Sequence, residues 1–140
     1  DQFGCLYRPR VIAARLGQPV AIPNSDPLVH TVHSQAQQNA AAAFNEIMPT
    51  AGTRLVKTFG RPEVAVHLKC DIHPWMSAYV GVFAHPYFAI TSESGEFQLR
   101  NLAPGEYTLR GWHETLGSQS QKLTVTAAGD VAVELAFAAK

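Results

Sequence analysis

Charge of a single sign is missing from this sequence. Its 140 residues carry eleven basic and eleven acidic side chains for a formal net charge of zero, and neither sign gathers into a run. A nucleic-acid groove or an anionic membrane surface calls for concentrated basic charge, so neither is expected as a partner. Long apolar runs are missing too. The longest candidates, AAAAF and YVGVFA, fall far short of the about eighteen residues that a membrane span needs. Cysteine is scarce: Cys5 and Cys70 are the only two. They allow one disulfide in an oxidising compartment, or a metal thiolate at Cys70 with another role for Cys5. The sequence starts at Asp1 without a methionine, as a mature exported protein does once its signal peptide is gone, so a periplasmic or secreted location is the expectation.

What is present is a core. Apolar content of 46% in a chain of this length suits one domain, or two small ones sharing an interior. VIAARL, QPVAI, RLVKTF, VAVHLKC, AYVGVF, GEFQL, GEYTLRGW, KLTVT and VAVELAF alternate apolar and polar positions between Gly, Pro, Asn and Asp breaks. Short strands at such spacing predict an all-β sandwich or barrel. Residues 34–47, SQAQQNAAAAFNEI, lack the alternation and read as a short helix or a covering loop.

The pattern changes after Phe83. From Tyr87 onward FAIT, SESG, EFQLRNL, APG and EYTLRGWHE read as a meander whose turns are Ser-Gly and Pro-Gly. TSESGEFQLRNLAPGEYTLRGW resembles the carboxypeptidase regulatory-like, or transthyretin-like, β-module. The resulting expectation is residues 1–83 as one domain, with residues 84–140 as a β-module packed on it and extending its sheet.

The chemistry concentrates in CDIHPWM, residues 70–76, where a thiol, an imidazole and a thioether fall within one turn of chain. A one-electron copper site needs a thiolate that favours Cu(I), imidazoles that both oxidation states accept, and a weak axial thioether. Cys70, His73 and Met76 supply these except for a second imidazole, which must come from another segment; NSDPLVHTVH, residues 24–33, offers it. A purely structural reading makes Cys70 a core cysteine, His73 a turn residue, and Pro74, Trp75 and Met76 packing. The upstream histidines weigh against it.

Both segments together resemble the cupredoxins, the blue-copper family that includes plastocyanin and amicyanin. CDIHPWM is similar to the amicyanin-type ligand loop, Cys-x-x-His-Pro-aromatic-Met. YRPRVIAARLGQPVAIPNSDPLVHTVH follows the family's opening: aromatic-x-Pro, strand, Gly, strand, Asn, and the first histidine six residues later. The resemblance covers residues 3–83. It implies a Greek-key β-sandwich, His30, Cys70, His73 and Met76 as copper ligands, and electron transfer to a redox partner protein rather than enzymatic turnover. Thr31 stands where the family usually has Asn. Alternation places Val64, Val66, Leu68 and Cys70 on one face, and Asn24 with backbone N–H groups is expected to hold the loops around the thiolate.

Alternatives stay open at this point. Cys5 is a buried bystander, a second sulfur ligand, or a disulfide partner of Cys70; the last would make the chain a copper-free structural subunit of a larger assembly. Copper delivery is a further reading. His33 and His67 are expected to face away from the site. His113 of the WHE motif, with His85 or His33, is a candidate second metal site, and Met48 a rival to Met76. A hydrolase finds no separate acid or oxyanion hole in the sequence.

Overall fold

The computed structural model of the chain describes residues 1–138 and is all-β, apart from one 3-10 turn at Ala40–Ala42. Its first seven strands are β1 Val11–Arg15, β2 Val20–Pro23, β3 His30–Gln35, β4 Asn45–Met48, β5 Arg54–Lys57, β6 Glu63–Lys69 and β7 Ser77–Phe83; β1, β2, β5, β6 and β7 follow the alternating segments, and β3 and β4 are not among them. Five pair in the order β1-β7-β6-β3-β4, and β2 pairs with β5 in a second sheet. β1 runs parallel to β7, and the other pairs are antiparallel. The core lies between these layers. Val20 and Ile22 from the small sheet meet Val32, Val66, Leu68, Val80 and Val82 from the large one, with Phe44 and Phe59 joining them. Each such side chain contributes about 1.5–3 kcal/mol when fully withdrawn from water.

Strand β6 corrects the simple alternation. Val66, Leu68 and Cys70 do face inward, but Val64 is 56% exposed and Glu63 takes the inward position in its place. A bulge between Glu63 and Val66, with Ala65 at φ +69, shifts the register by one residue. Glu63 is tolerated in the interior because its carboxylate accepts the N–H groups of Gln37 (2.6 Å) and Asn39 (3.0 Å) and the Asn39 side-chain amide (2.9 Å). Burial alone would raise its pKa; these donors outweigh burial and bring it below the usual value.

That carboxylate also anchors the stretch expected to be a helix or loop. Residues 34–35 finish β3, residues 45–47 belong to β4, and the bridge between them contains only the 3-10 turn. Its alanine run has helical propensity, but the Asn39 contacts to Arg61 and Glu63 hold the chain in a covering loop.

The first compact unit runs Asp1–Gln98, and the second begins at Leu99. Near the end of the first, Phe88 stacks on Phe83 with centroids 4.7 Å apart, and a turn at residues 92–96 closes through Ser92 and Glu96. The second unit is a hairpin of β8 Gly105–His113 and β9 Gly117–Val125, which form their own two-stranded ladder. His113 accepts the N–H groups of Thr115 and Leu116 at the turn, and Gly117 at φ +81 completes it. Two expected strands, GEFQL and VAVELAF, form no ladder among the described residues. GEFQL is pinched between the 92–96 turn and Asn101 at φ +60. In VAVELAF, Leu135 and Phe137 lie over Gly111, where a Cβ would come within 3.0–3.1 Å of them. Those two side chains meet Gly111 of β8, although the segment forms no ladder with it. Among the described residues no helix is long and apolar enough to cross a membrane.

Candidate metal centre

Two loops bring the candidate ligands together. In NSDPLVH, the Asn24 amide donates to the carbonyls of Leu28 (2.9 Å) and Met48 (3.0 Å), and its oxygen accepts the Asp26 N–H (3.0 Å). This cross-bracing delivers His30, fully buried, at the start of β3. In CDIHPWM, the Cys70 N–H donates to the Met76 carbonyl (3.2 Å) and the Met76 N–H to the His73 carbonyl (2.9 Å). The loop therefore closes on itself, with Cys70 and Met76 buried and His73 half-buried.

Nδ1 of His30 and Nδ1 of His73 lie 3.0 Å apart, and Cys70 Sγ lies 3.9 Å from His73 Nδ1. Donor atoms of His30, Cys70 and His73 are all within 4.8 Å of one another. Gaps of this size are spanned by one ion about 2.0–2.3 Å from each nitrogen and sulfur. The protons point the same way. Nε2 of His30 faces Asp26 Oδ2 at 2.9 Å, and a carboxylate only accepts, so Nε2 carries hydrogen and a neutral ring offers its Nδ1 lone pair to the cluster. Two Nδ1 atoms 3.0 Å apart need either a shared proton or a cation between them.

The sulfur is surrounded by donors. Cys70 Sγ accepts the N–H groups of Thr31 (3.4 Å) and His73 (3.4 Å) and receives the Thr31 hydroxyl at 3.7 Å. That hydroxyl in turn accepts the Asp71 N–H at 2.7 Å, tying β3 to the ligand loop. The buried Tyr7 hydroxyl donates to the Thr31 carbonyl. Its pKa is raised by burial first and then by Cys70 and Asp71, so it stays a donor. Three donors aimed at one buried sulfur suit a thiolate, the form that binds metal. The donor set of His30, Cys70 and His73 thus fits a soft or borderline ion.

The other candidates are placed as follows. Met48 sits opposite His30 in the β3–β4 register and is buried in the core. His33 turns outward to Asp71 (3.0 Å), and His67 bonds Gln35 (2.7 Å) and Ser77 (2.6 Å). Neither triad of potential ligands among the described residues includes His33, His85 or His113. His113 closes its hairpin turn instead. Both cysteines are free, which corrects the disulfide alternative: Cys70 groups with His30 and His73, Cys5 with His30 and Asp26. Asp26 is the residue that sequence reasoning missed. It stands four residues before His30, and its carboxylate accepts from Gly4 N–H (2.7 Å), Cys5 N–H (2.8 Å) and His30. The Cys5 N–H is the main influence holding it below the usual carboxylate range, burial opposing, with Gly4 and His30 adding to the lowering.

No family model and no curated protein matches the chain. Solved structures do resemble it. A variant of amicyanin in its Cu(I) form aligns with a TM-score of 0.53 and 22% identity over 59% of this chain and 77% of that one. A Cu-containing nitrite reductase from Thermus scotoductus SA-01 gives 0.52 and 23% over 59% of this chain, which spans only 21% of the reductase. A purple cupredoxin from Nitrosopumilus maritimus gives 0.48 and 22% over 58% of this chain and 85% of that one. At these identities the likeness is one of fold: a cupredoxin-like β-sandwich. The carboxypeptidase regulatory-like module expected for residues 84–140 finds no support in a family model or a curated protein.

Proposed function

We propose that this protein is an electron carrier with a type 1 copper site, which His30, Cys70 and His73 would hold together with Met76 as a weaker fourth ligand. The observation that carries the reading is the meeting of two Nδ1 atoms and a donor-wrapped sulfur from β3 and the 70–76 loop. Copper supplies a one-electron couple whose two states both accept thiolate, imidazole and thioether. The chain's part is to keep those groups in place so that neither state asks for a new arrangement. His30 is locked by Asp26, Cys70 by the Thr31 and His73 amides, and Met76 by the backbone bonds that close its loop.

His73 is the least buried of the four and is the side from which a partner reaches the site. Trp75 leans on it with ring centroids 5.2 Å apart, is 60% exposed, and is fixed by its indole N–H to the Cys5 carbonyl (2.9 Å). Ile72, Leu28 and Val29 on the two ligand loops are also exposed. An uncharged apolar rim of this kind suits small, brief contacts with a redox protein. The reading puts the protein in the periplasm or outside the cell, which fractionation of a native host tests.

Loading the protein with Cu(II) is expected to give one ion per chain and an intense thiolate-to-copper absorption band. Cys70→Ser is expected to abolish the band, and Cys5→Ser to keep it. Colour that persists in Cys70→Ser overturns the ligand assignment.

A further inference from the structure

We propose that Asp26 is a positioning residue for the metal: its carboxylate fixes the His30 ring as the tautomer that presents Nδ1, and its charge favours the more oxidised ion. The inference rests on the copper reading above. It starts from the isolation of His30, whose ring is fully buried and has one polar partner on each side, His73 at Nδ1 and Asp26 at Nε2. With nothing but an acceptor at Nε2, the ring cannot turn over to offer the other nitrogen without leaving a buried N–H unpaired.

The carboxylate is built in place. Gly4 at φ +63 and Cys5 at φ +53 follow each other in the left-handed region, which turns two successive N–H groups onto its two oxygens. Cys5 has a side chain and adopts this conformation all the same. The Asp26 N–H is held by Asn24, which also braces Leu28 and Met48 around the histidine. The N-terminal segment, the 24–30 loop and β4 therefore converge to present one negative charge to the far side of one imidazole. A neutral acceptor would orient the ring equally well. What the charge adds is greater basicity of the ring and a field that stabilises the higher oxidation state, as carboxylate–histidine pairs do at metal centres.

The grouping of Cys5, Asp26 and His30 also admits a rival, a second ion on that side of the ring. Both Asp26 oxygens are already taken by three N–H groups, and an ion there needs the Nε2 site that the proton holds.

The test compares wild type, Asp26→Asn and Asp26→Ala in copper titration, voltammetry and 15N NMR of the metal-free histidines. Asp26→Asn keeps an acceptor for Nε2–H and removes the charge. It is expected to keep the absorption band, to lose about ten- to a hundredfold in Cu(II) affinity, and to lose less for Cu(I). The potential then rises by about 59 mV for each tenfold of difference. Asp26→Ala is expected to lose the Nε2–H signature of His30 as well. Glu46→Gln, which removes a partly exposed carboxylate paired with Lys57 and in contact with no proposed ligand, serves as the control and should move neither potential nor tautomer. Unchanged potential and affinity in Asp26→Asn overturn the role of the charge. An unchanged His30 tautomer in folded Asp26→Ala overturns the role in orientation. Two copper ions per wild-type chain, falling to one in Cys5→Ser, overturn the proposal in favour of the second ion. Wild-type protein that takes up no copper sinks the copper reading instead, and the metal-free NMR arm still decides what Asp26 does to the ring.

Discussion

VAVHLKC in the first unit and GEYTLRGW in the second are written in the same alternating pattern, but they bury it to different depths. Val66 and Leu68 on β6, and Cys70 directly after it, reach 0–5% exposure. On β8 the same alternation shows only as half-buried against exposed, and none of the described residues from Leu99 onward is fully buried. Every buried hydrophobic residue among those described lies between Tyr7 and Val82. Alternation chooses a face; a second layer of sheet decides whether that face becomes an interior. Chemistry follows the same division. A fully buried imidazole facing a buried thiol is possible only where such an interior exists, and the histidine of the hairpin, His113, serves its own turn.

The largest effect that would break this comparison is in packing. Phe59→Ala in the first unit should cost about 3–5 kcal/mol, because the ring is 2% exposed and leaves a cavity. Leu109→Ala in the half-buried hairpin should cost about 1 kcal/mol or less. Each unit carries one tryptophan, Trp75 and Trp112, so denaturant unfolding of single-tryptophan variants reads them separately. Equal losses in the two units would show that the hairpin has an interior as firm as the sandwich.

A smaller effect sharpens the contrast through a buried charge. Glu63→Gln should cost about 1–3 kcal/mol, since the amides of Gln37 and Asn39 lose a charged acceptor in a dry setting. Substituting the exposed Glu106 on β8 should stay within about 0.5 kcal/mol. The pH dependence has a definite sign. Glu63 has a lowered pKa in the folded state, so its contribution is full above the unfolded value of about 4.3 and fades as pH falls through the lower folded value. Urea midpoints for wild type and Glu63→Gln should therefore converge in acid. A gap that stays constant down through that range would mean the carboxylate acts by shape rather than by charge.

What could be read from the sequence divides along similar lines. CDIHPWM and the histidine of NSDPLVH carry donor chemistry in their residue types, so the convergence of His30, Cys70 and His73 was legible before any coordinates. The sandwich was legible because alternation and turn residues agree over most of the first unit. Glu63 replacing Val64 was not, since an alanine at φ +69 gives no signal in the sequence. Nor was Asp26, because Asp in a turn ordinarily serves its neighbours, and only the arrival of Gly4 and Cys5 from the N-terminal segment turns it to His30. VAVELAF misled because alternation shows which side chains can pack, here Leu135 and Phe137 at Gly111, and not whether the backbone joins a ladder.

The smallest expected effect separates two carboxylates within the first unit. Asp71 is gripped more tightly than Glu63 on paper: Lys69 at 2.9 Å, His33 at 3.0 Å and Asn45 at 2.8 Å. Lys69 is the leading cause that brings its pKa down to about 2, with His33 and Asn45 adding to it. Its side chain is a third exposed, so water and salt screen those contacts, and Asp71→Asn should cost less at neutral pH than Glu63→Gln. Because the folded pKa is depressed, whatever Asp71 contributes is present above about pH 3.9 and disappears as pH falls towards 2. Its backbone N–H still reaches the Thr31 hydroxyl in the variant, so the thiolate band should not move. Urea unfolding from pH 5 to pH 2, with the band recorded alongside, tests both points. A loss at neutral pH as large as that of Glu63→Gln would mean that the three surface partners outweigh burial, and the depth of the interior would no longer rank the charges of this fold.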